Sequence, residues 1–205
     1  MPSSLTLAEI QRDPALLSAS IPNPAGLALT FRPLDRADAA ILGTYFLSLS
    51  EDTTRRYGPH PFDQPTAERF CASIDFGEAV RMVATIPASG GEQVIAYFIL
   101  QLDAPQAERE RYAAAGIALD PRTDCIIAPS LADAYQNRGL GTPLMEHIFR
   151  IAGRLGRKHI LLNGGVYLTN ERAVHYYEKL GFMRVGMFEG PVGSSKFSYD
   201  MWRDL

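Results

Sequence analysis

Gln136-Asn137-Arg138-Gly139-Leu140-Gly141-Thr142 stands between an apolar run, Cys125 to Ala128, and a segment, Leu140 to Leu155, whose apolar residues recur three and four positions apart. Strand, turn and helix are therefore expected in that order. The first N–H groups of a helix have no partner within the helix, and its dipole favours negative charge at that end. Gly139 and Gly141 reach backbone angles closed to residues with a Cβ and let a ligand approach the main chain, while Arg138 adds a cation. The segment thus has the makings of a phosphate cradle, although these residues alone equally fit a tight turn before a helix. A dinucleotide fingerprint is excluded because Leu144 stands where its third glycine belongs, and a P-loop would need Gly-Lys-Ser/Thr.

Working outward, His159 to Leu162 reads as a buried strand, Asn170 to Leu180 as a helix stopped by Gly181, and Phe182 to Phe188 and Lys196 to Trp202 as two closing strands. His159, at the start of its strand, is expected to be exposed. Upstream, Val80 to Ile86 and Val94 to Leu102 flank Ser89-Gly90-Gly91, which predicts an antiparallel hairpin. Leu27 to Arg32 alternates apolar and polar residues and ends at Pro33, and Asp35 caps a helix running to about Ser48. Thr66 opens another helix, to about Asp75. The charged, alanine-rich segment 103–120 reads as a short helical insertion without a legible role. Leu5 to Leu17 reads as a helix, followed by the breaker cluster Ile21-Pro22-Asn23-Pro24-Ala25-Gly26. Residues 1–26 are accordingly taken as a helical extension and linker, and 27–205 as one α/β domain built on a mixed sheet.

Composition narrows the function. Apolar residues make up 46% of the 205 and charged residues 21%, as in ordinary folded proteins. A formal net charge of −3 gives no overall footprint for nucleic acid or an anionic membrane, so any anion site must be local. Cys71 and Cys125 are isolated and no histidine cluster has ligand spacing, so neither a disulfide framework nor a metal site is expected. Glu9, Arg12 and Asp13 interrupt the first apolar stretch, and nowhere do eighteen apolar residues run together, so a cytoplasmic setting is expected.

Gln136-x-x-Gly139-x-Gly141, followed by Asn170-x-x-Ala173-x-x-x-Tyr177-x-x-x-Gly181-Phe182, resembles the GNAT superfamily of acyl-CoA-dependent N-acetyltransferases over roughly Cys125 to Phe188. The resemblance implies a single domain with a sheet of about seven strands, splayed between the fourth and fifth, and about four flanking helices. It implies acetyl-CoA as co-substrate and no metal. The pyrophosphate would lie on the backbone of Gln136, Asn137, Arg138, Gly139, Leu140, Gly141 and Thr142. Asn170, Ala173 and Tyr177 would flank the pantetheine and thioester, and main-chain groups near Ser130, Leu131 and Ala132 would polarise the acyl carbonyl.

Tyr177 follows Asn170 by seven residues, two helical turns on, so both share one face, with the small Ala173 between them. A phenol with pKa about 10 keeps its proton at neutral pH and can donate it to a departing thiolate, which makes Tyr177 the expected general acid. Its neighbour Tyr176 is expected to face the core. For the acceptor, the polar loop Ser50 to Pro65 offers Glu51, Asp52, His60 and Asp63. The pair Gly164-Gly165, where a larger side chain is usual in this family, suggests a wider acceptor cleft. The expected reaction is direct transfer of acetyl to the primary amine of a small molecule; a non-catalytic acyl-CoA sensor and an acetyltransferase of protein N-termini or lysines are the alternatives. A homodimer is compatible with this reading.

Overall fold

The computed structural model of the chain describes residues 4–56, 59–189 and 197–205. It begins with α1 (Leu7–Arg12), a 3-10 turn (Pro14–Leu17), β1 (Ala19–Ser20) and β2 (Thr30–Pro33). After a second 3-10 turn come α2 (Ala39–Ser48), α3 (Glu51–Arg55), α4 (Gln64–Ala72) and the hairpin of β3 (Ala79–Ala88) and β4 (Gly91–Gln101). Next are α5 (Gln106–Ala114), β5 (Asp124–Leu131), a 3-10 turn (Asp133–Tyr135), α6 (Gly141–Arg154) and β6 (His159–Leu162). The chain closes with β7 (Val166–Tyr167), α7 (Glu171–Lys179), β8 (Met183–Glu189) and β9 (Phe197–Asp204).

The strands form one mixed sheet in the order β1-β2-β3-β4-β5-β6-β9-β7, with β8 also paired to β9. Nine strands and seven α-helices are present among the described residues, against the expected seven and four. The additions are small: β1 and β7 have two residues each, and α1, α3 and α5 are short helices in the extension, the polar loop and the insertion. The helix expected from Leu5 to Leu17 breaks at Asp13, because Pro14 has no N–H for an α-helical bond and Asp13 caps the following turn instead. The first residue of the last expected strand, 196, lies outside the described residues.

The sheet is covered on both faces. On one, α6 buries Leu144, Met145, Ile148 and Ile151 against strand residues such as Phe98, Ile127 and Leu162, and Ile10, Leu17 and Ile21 from the first twenty-one residues join the same cluster. On the other, Leu42, Tyr45 and Phe46 of α2 and Ala67 and Cys71 of α4 pack on Tyr97, Ile99 and Ala128, while Tyr112 of α5 packs on Ile126 and Leu161. His159 is not exposed as expected: its Nδ1 lies 2.6 Å from an Asp124 oxygen and its ring stacks on Trp202 at 4.7 Å. The cross-strand neighbour Trp202, 43 residues on, is what covers it, and local spacing does not report such a contact.

All strand pairs are antiparallel except β5 with β6, which run parallel from Asp124↔His159 to Ile127↔Leu162. Their pairing ends with Asn163 N–H donating to the Ile127 carbonyl at 3.0 Å. Beyond that point β5 continues to Leu131 against β4 alone, while the chain after β6 turns away through Gly164-Gly165 to β7, which pairs with β9. The expected separation between the fourth and fifth strands is thus found between β5 and β6, the short β1 adding one to the count.

Gly165 is fixed by this turn. Its φ is +66°, and a Cβ there would lie 2.5 Å from the Tyr199 carbonyl oxygen and 2.8 Å from the Phe188 ring. Gly165→Ala therefore combines left-handed backbone with a clash against main chain, and is expected to cost about 2–3 kcal/mol of stability. Urea unfolding checks this, and an unchanged midpoint would contradict it.

Candidate active site

Where β5 and β6 part, a cleft of about 810 Å³ opens between the end of β5, the loop before α6, the β7 segment and the first turns of α7. Of the residues expected to hold a cofactor, Leu131, Gln136, Asn137, Gly139, Leu140, Gly141, Thr142, Asn170, Ala173 and Tyr177 line it. The sequence separation between the two groups is closed by the parallel β5-α6-β6 crossover, which returns the chain beside its own starting strand.

The loop ahead of α6 turns through Asn137 at φ +60° and Gly139 at φ +73°. Pro24 of the linker packs behind it, its Cγ 3.0 Å from where a Cβ of Gly139 would be. Leu140 occupies the N-cap position of the fourteen-residue α6 and makes no side-chain capping bond, so the helix does not cap its own first amides with a side chain there. Helix-start N–H groups directed into a cleft suit a phosphate. Gln136 holds the loop at its base: Nε2 donates to the Leu131 carbonyl at 3.1 Å and to Thr53 Oγ1 at 3.3 Å, and Oε1 accepts from Arg172 Nη2 at 2.9 Å.

Arg172 also donates to Asn137 Oδ1 at 3.4 Å and lines the cleft. Arg138 does not line it; its guanidinium lies over the Tyr135 ring at 5.4 Å. The cation on the cleft wall beside this loop therefore comes from α7, at one of the unspecified positions of the second motif, where the sequence gives no reason to look.

Asn170 caps α7, its Oδ1 accepting from Ala173 N–H at 3.4 Å. Both Tyr176 and Tyr177 are half-buried and both line the cleft, so the expectation that Tyr176 faces only the core is corrected. The Tyr176 hydroxyl stands 2.8 Å from where a Cβ of Gly141 would lie, and it is the bare glycine that lets α7 come so close to α6. Tyr177 packs against Phe182 and Tyr176, with ring centroids 5.5 and 5.2 Å away. Burial raises its phenol pKa above the ordinary value of 10.0.

At the end of β5, Ala132 N–H donates to the Ile95 carbonyl at 2.8 Å and so is already engaged with β4. Because main-chain groups alternate sides along an antiparallel strand, Ser130 faces β4 as Ala132 does, and Leu131 and Pro129 face the opening. Pro129 has no N–H, which leaves that of Leu131 as the donor turned toward the cleft. Ser130 accepts from the Tyr45 hydroxyl at 2.9 Å and donates to the Tyr97 carbonyl at 3.1 Å, which ties the strand to α2.

The four acceptor-side candidates are scattered. Asp52 lines the cleft, exposed and paired with Arg55 and Arg56. Glu51, in the first turn of α3, does not. His60 lies in an aromatic cluster with Phe46, Phe62, Phe70 and Tyr97, where burial holds its pKa below the usual histidine value. Asp63 caps α4 by accepting from Thr66 N–H at 2.8 Å.

Asp133 was not singled out in the sequence, yet it organises this side of the cleft. It accepts from Ser50 N–H at 2.9 Å, Ser50 Oγ at 2.8 Å and Thr53 Oγ1 at 2.7 Å, fastening α3 beside the cleft. Burial opposes its charge, but these bonds outweigh it and bring the carboxyl below its usual pKa. Its partners are some eighty residues away, and no local pattern announces them. Among the described residues no group of three or more His, Cys, Asp or Glu could hold a metal, and no helix is long and apolar enough to cross a membrane.

Comparison with known proteins adds the following. The model of the acetyltransferase (GNAT) family matches residues 45–182. The GNAT domain of S. lividans PAT has a TM-score of 0.68 at 22% identity, over 94% of this chain and 99% of that one. Ribosomal-protein-S5-alanine acetyltransferase from Vibrio fischeri has a TM-score of 0.67 at 13% identity, over 86% and 92%. Ard1 from Thermoplasma volcanium has a TM-score of 0.60 at 17% identity, over 87% and 98%. At these identities the structures establish a shared fold.

Gln136→Ala removes three bonds that shape the loop ahead of α6. It is expected to cost roughly 1–1.5 kcal/mol of stability, read as a lower urea-unfolding midpoint. A midpoint equal to that of the native chain would show that the loop keeps its shape without Gln136.

Proposed function

Because the chain belongs to the acetyltransferase (GNAT) family, we propose that it moves an acetyl group directly from acetyl-CoA to the primary amine of a small acceptor. The observation that carries this is the cleft at the β5–β6 split, which brings the start of α6 and the Tyr177 side chain onto one cavity. The residues present fit a pyrophosphate: glycine-opened main chain at positive φ, a helix start without a side-chain cap, and the Arg172 guanidinium on the wall.

Acetyl-CoA, when bound, supplies the activated acyl group. Leu131 N–H is placed to polarise its carbonyl as charge builds on the oxygen during attack, a contribution that grows toward the transition state. Tyr177 donates its proton to the thiolate as the sulfur departs. Its raised pKa keeps it protonated at neutral pH. The attacking amine loses its own proton before or during attack, directly or through water. Asp52 is the carboxylate among the four acceptor-side candidates with a place on the cleft wall, and Asp133 holds the helix that carries it, α3, against that wall.

The test is coenzyme A release against a panel of small amines, with native protein and Tyr177→Phe. The variant is expected to lose about 10²-fold in kcat while binding acetyl-CoA with unchanged affinity. Equal rates would remove Tyr177 from its role, and tight binding without turnover on any amine would favour the sensor. The sign of the pH effect follows from the raised pKa. Proton loss from Tyr177 comes only above the ordinary phenol value of 10.0, so kcat should show no falling limb from this residue below that pH.

A further inference from the structure

The insertion 103–120 folds as α5 with flanking turns and is anchored to the sheet by Tyr112, whose buried hydroxyl donates to the Met201 carbonyl at 3.1 Å. One turn before Tyr112 lies Glu108, 5% exposed, and next to Tyr112 lies Arg111, opposite Asp200 of β9, 4% exposed. Arg111 Nη2 donates to Glu108 Oε1 at 3.3 Å and to Asp200 Oδ1 at 3.2 Å, and its guanidinium lies 4.0 Å above the Phe188 ring. Asp200 alone, held through both Nε and Nη2, already balances the guanidinium. A second buried carboxylate carries a desolvation cost that charge pairing seldom recovers, so Glu108 is poorly explained as a partner for Arg111 only.

Glu108 has another contact. Its Oε1 accepts the Gly164 N–H at 3.3 Å. Gly164 and Gly165, both at positive φ, make the turn that follows β6, and Gly165 lines the cleft. The helix reaches the turn by a second route as well: the Phe188 ring under Arg111 is the one that presses on Gly165. Two successive glycines have more backbone freedom than any other pair, and a cleft wall made of them keeps one shape only if something holds it.

We propose that Glu108 is a positioning residue, which fixes the Gly164-Gly165 turn and so lets the α5 insertion set the shape of the cleft in which transfer takes place. The role in transfer rests on the acetyltransferase reading above. Glu108 acts through the main chain of Gly164 and touches no reacting atom.

Two substitutions separate holding the turn from balancing the charge. Glu108→Gln keeps an oxygen within reach of Gly164 N–H and loses the ion pair. Glu108→Asp keeps the charge and loses the reach. With the most active amine of the panel, Glu108→Gln is expected to stay within about twofold of native kcat. Glu108→Asp should fall about tenfold, with KM for acetyl-CoA unchanged, because misplaced reacting geometry lowers turnover more than binding. Equal loss in both variants, or none in Glu108→Asp, would overturn the proposal. Hydrogen exchange over 163–166, measured without substrate, reads the same question independently of turnover: faster exchange in Glu108→Asp but not in Glu108→Gln supports the role, and equal exchange in the two refutes it. An enzyme that acetylates nothing in the panel would sink the transfer reading and still leave this second result decisive for the turn.

Discussion

Backbone hydrogen bonding between β5 and β6 stops at Ile127, and most of what the molecule can do follows from that interruption. A continuous sheet would spend the outward main-chain groups of β5 on a neighbour. Here β6 ends and the chain swings through two glycines to β7, so the last residues of β5 have a partner on one side only. The opening receives the start of α6 from one direction and the first turns of α7 from another. Both helices carry unpaired or polar termini that need something other than apolar packing. The sheet's defect, the uncapped start of α6 and the first turns of α7 meet in one place, and a cavity is the result.

The sequence exposed this arrangement unevenly, in a way that follows from the range of the forces involved. Strands and helices are set by local periodicity and by breakers, so the hairpin around Ser89-Gly90-Gly91, the α6 pattern and the stop at Gly181 could be read within three residues of where they fall. The turn ahead of α6 was legible for the same reason, since Gly139 takes a positive φ, whereas Gly141 makes room for the distant Tyr176 hydroxyl. Tyr177 was reached by counting two turns from Asn170.

Contacts across long stretches of chain were not legible. Asp133 meets Ser50 and Thr53, Glu108 meets Gly164, His159 meets Asp124 and stacks on Trp202, and none of these partners is specified by spacing. The loop Ser50 to Pro65 shows the opposite failing, in which residue type pointed to more than geometry delivers. His60 and Asp63 are spent on an aromatic cluster and a helix cap, whereas Thr53 and Asp133, chemically plainer in the sequence, hold the cleft wall. The cofactor half of such a site depends on main-chain shape and is written locally. The acceptor half depends on which distant side chains meet.

The free edge of β5 carries one more consequence. An unpaired strand edge in a protein interior is ordinarily a hazard, since its row of donors and acceptors can template the strand of another molecule and begin aggregation. Here the edge cannot offer that row. Pro129 deletes one donor, the Leu131 carbonyl is occupied by Gln136, and α6 and α7 flank the gap. What is left is the Leu131 N–H and the Pro129 carbonyl, in a cleft flanked by two helices. The sheet keeps a gap open here while the edge that borders it offers another strand little to pair with.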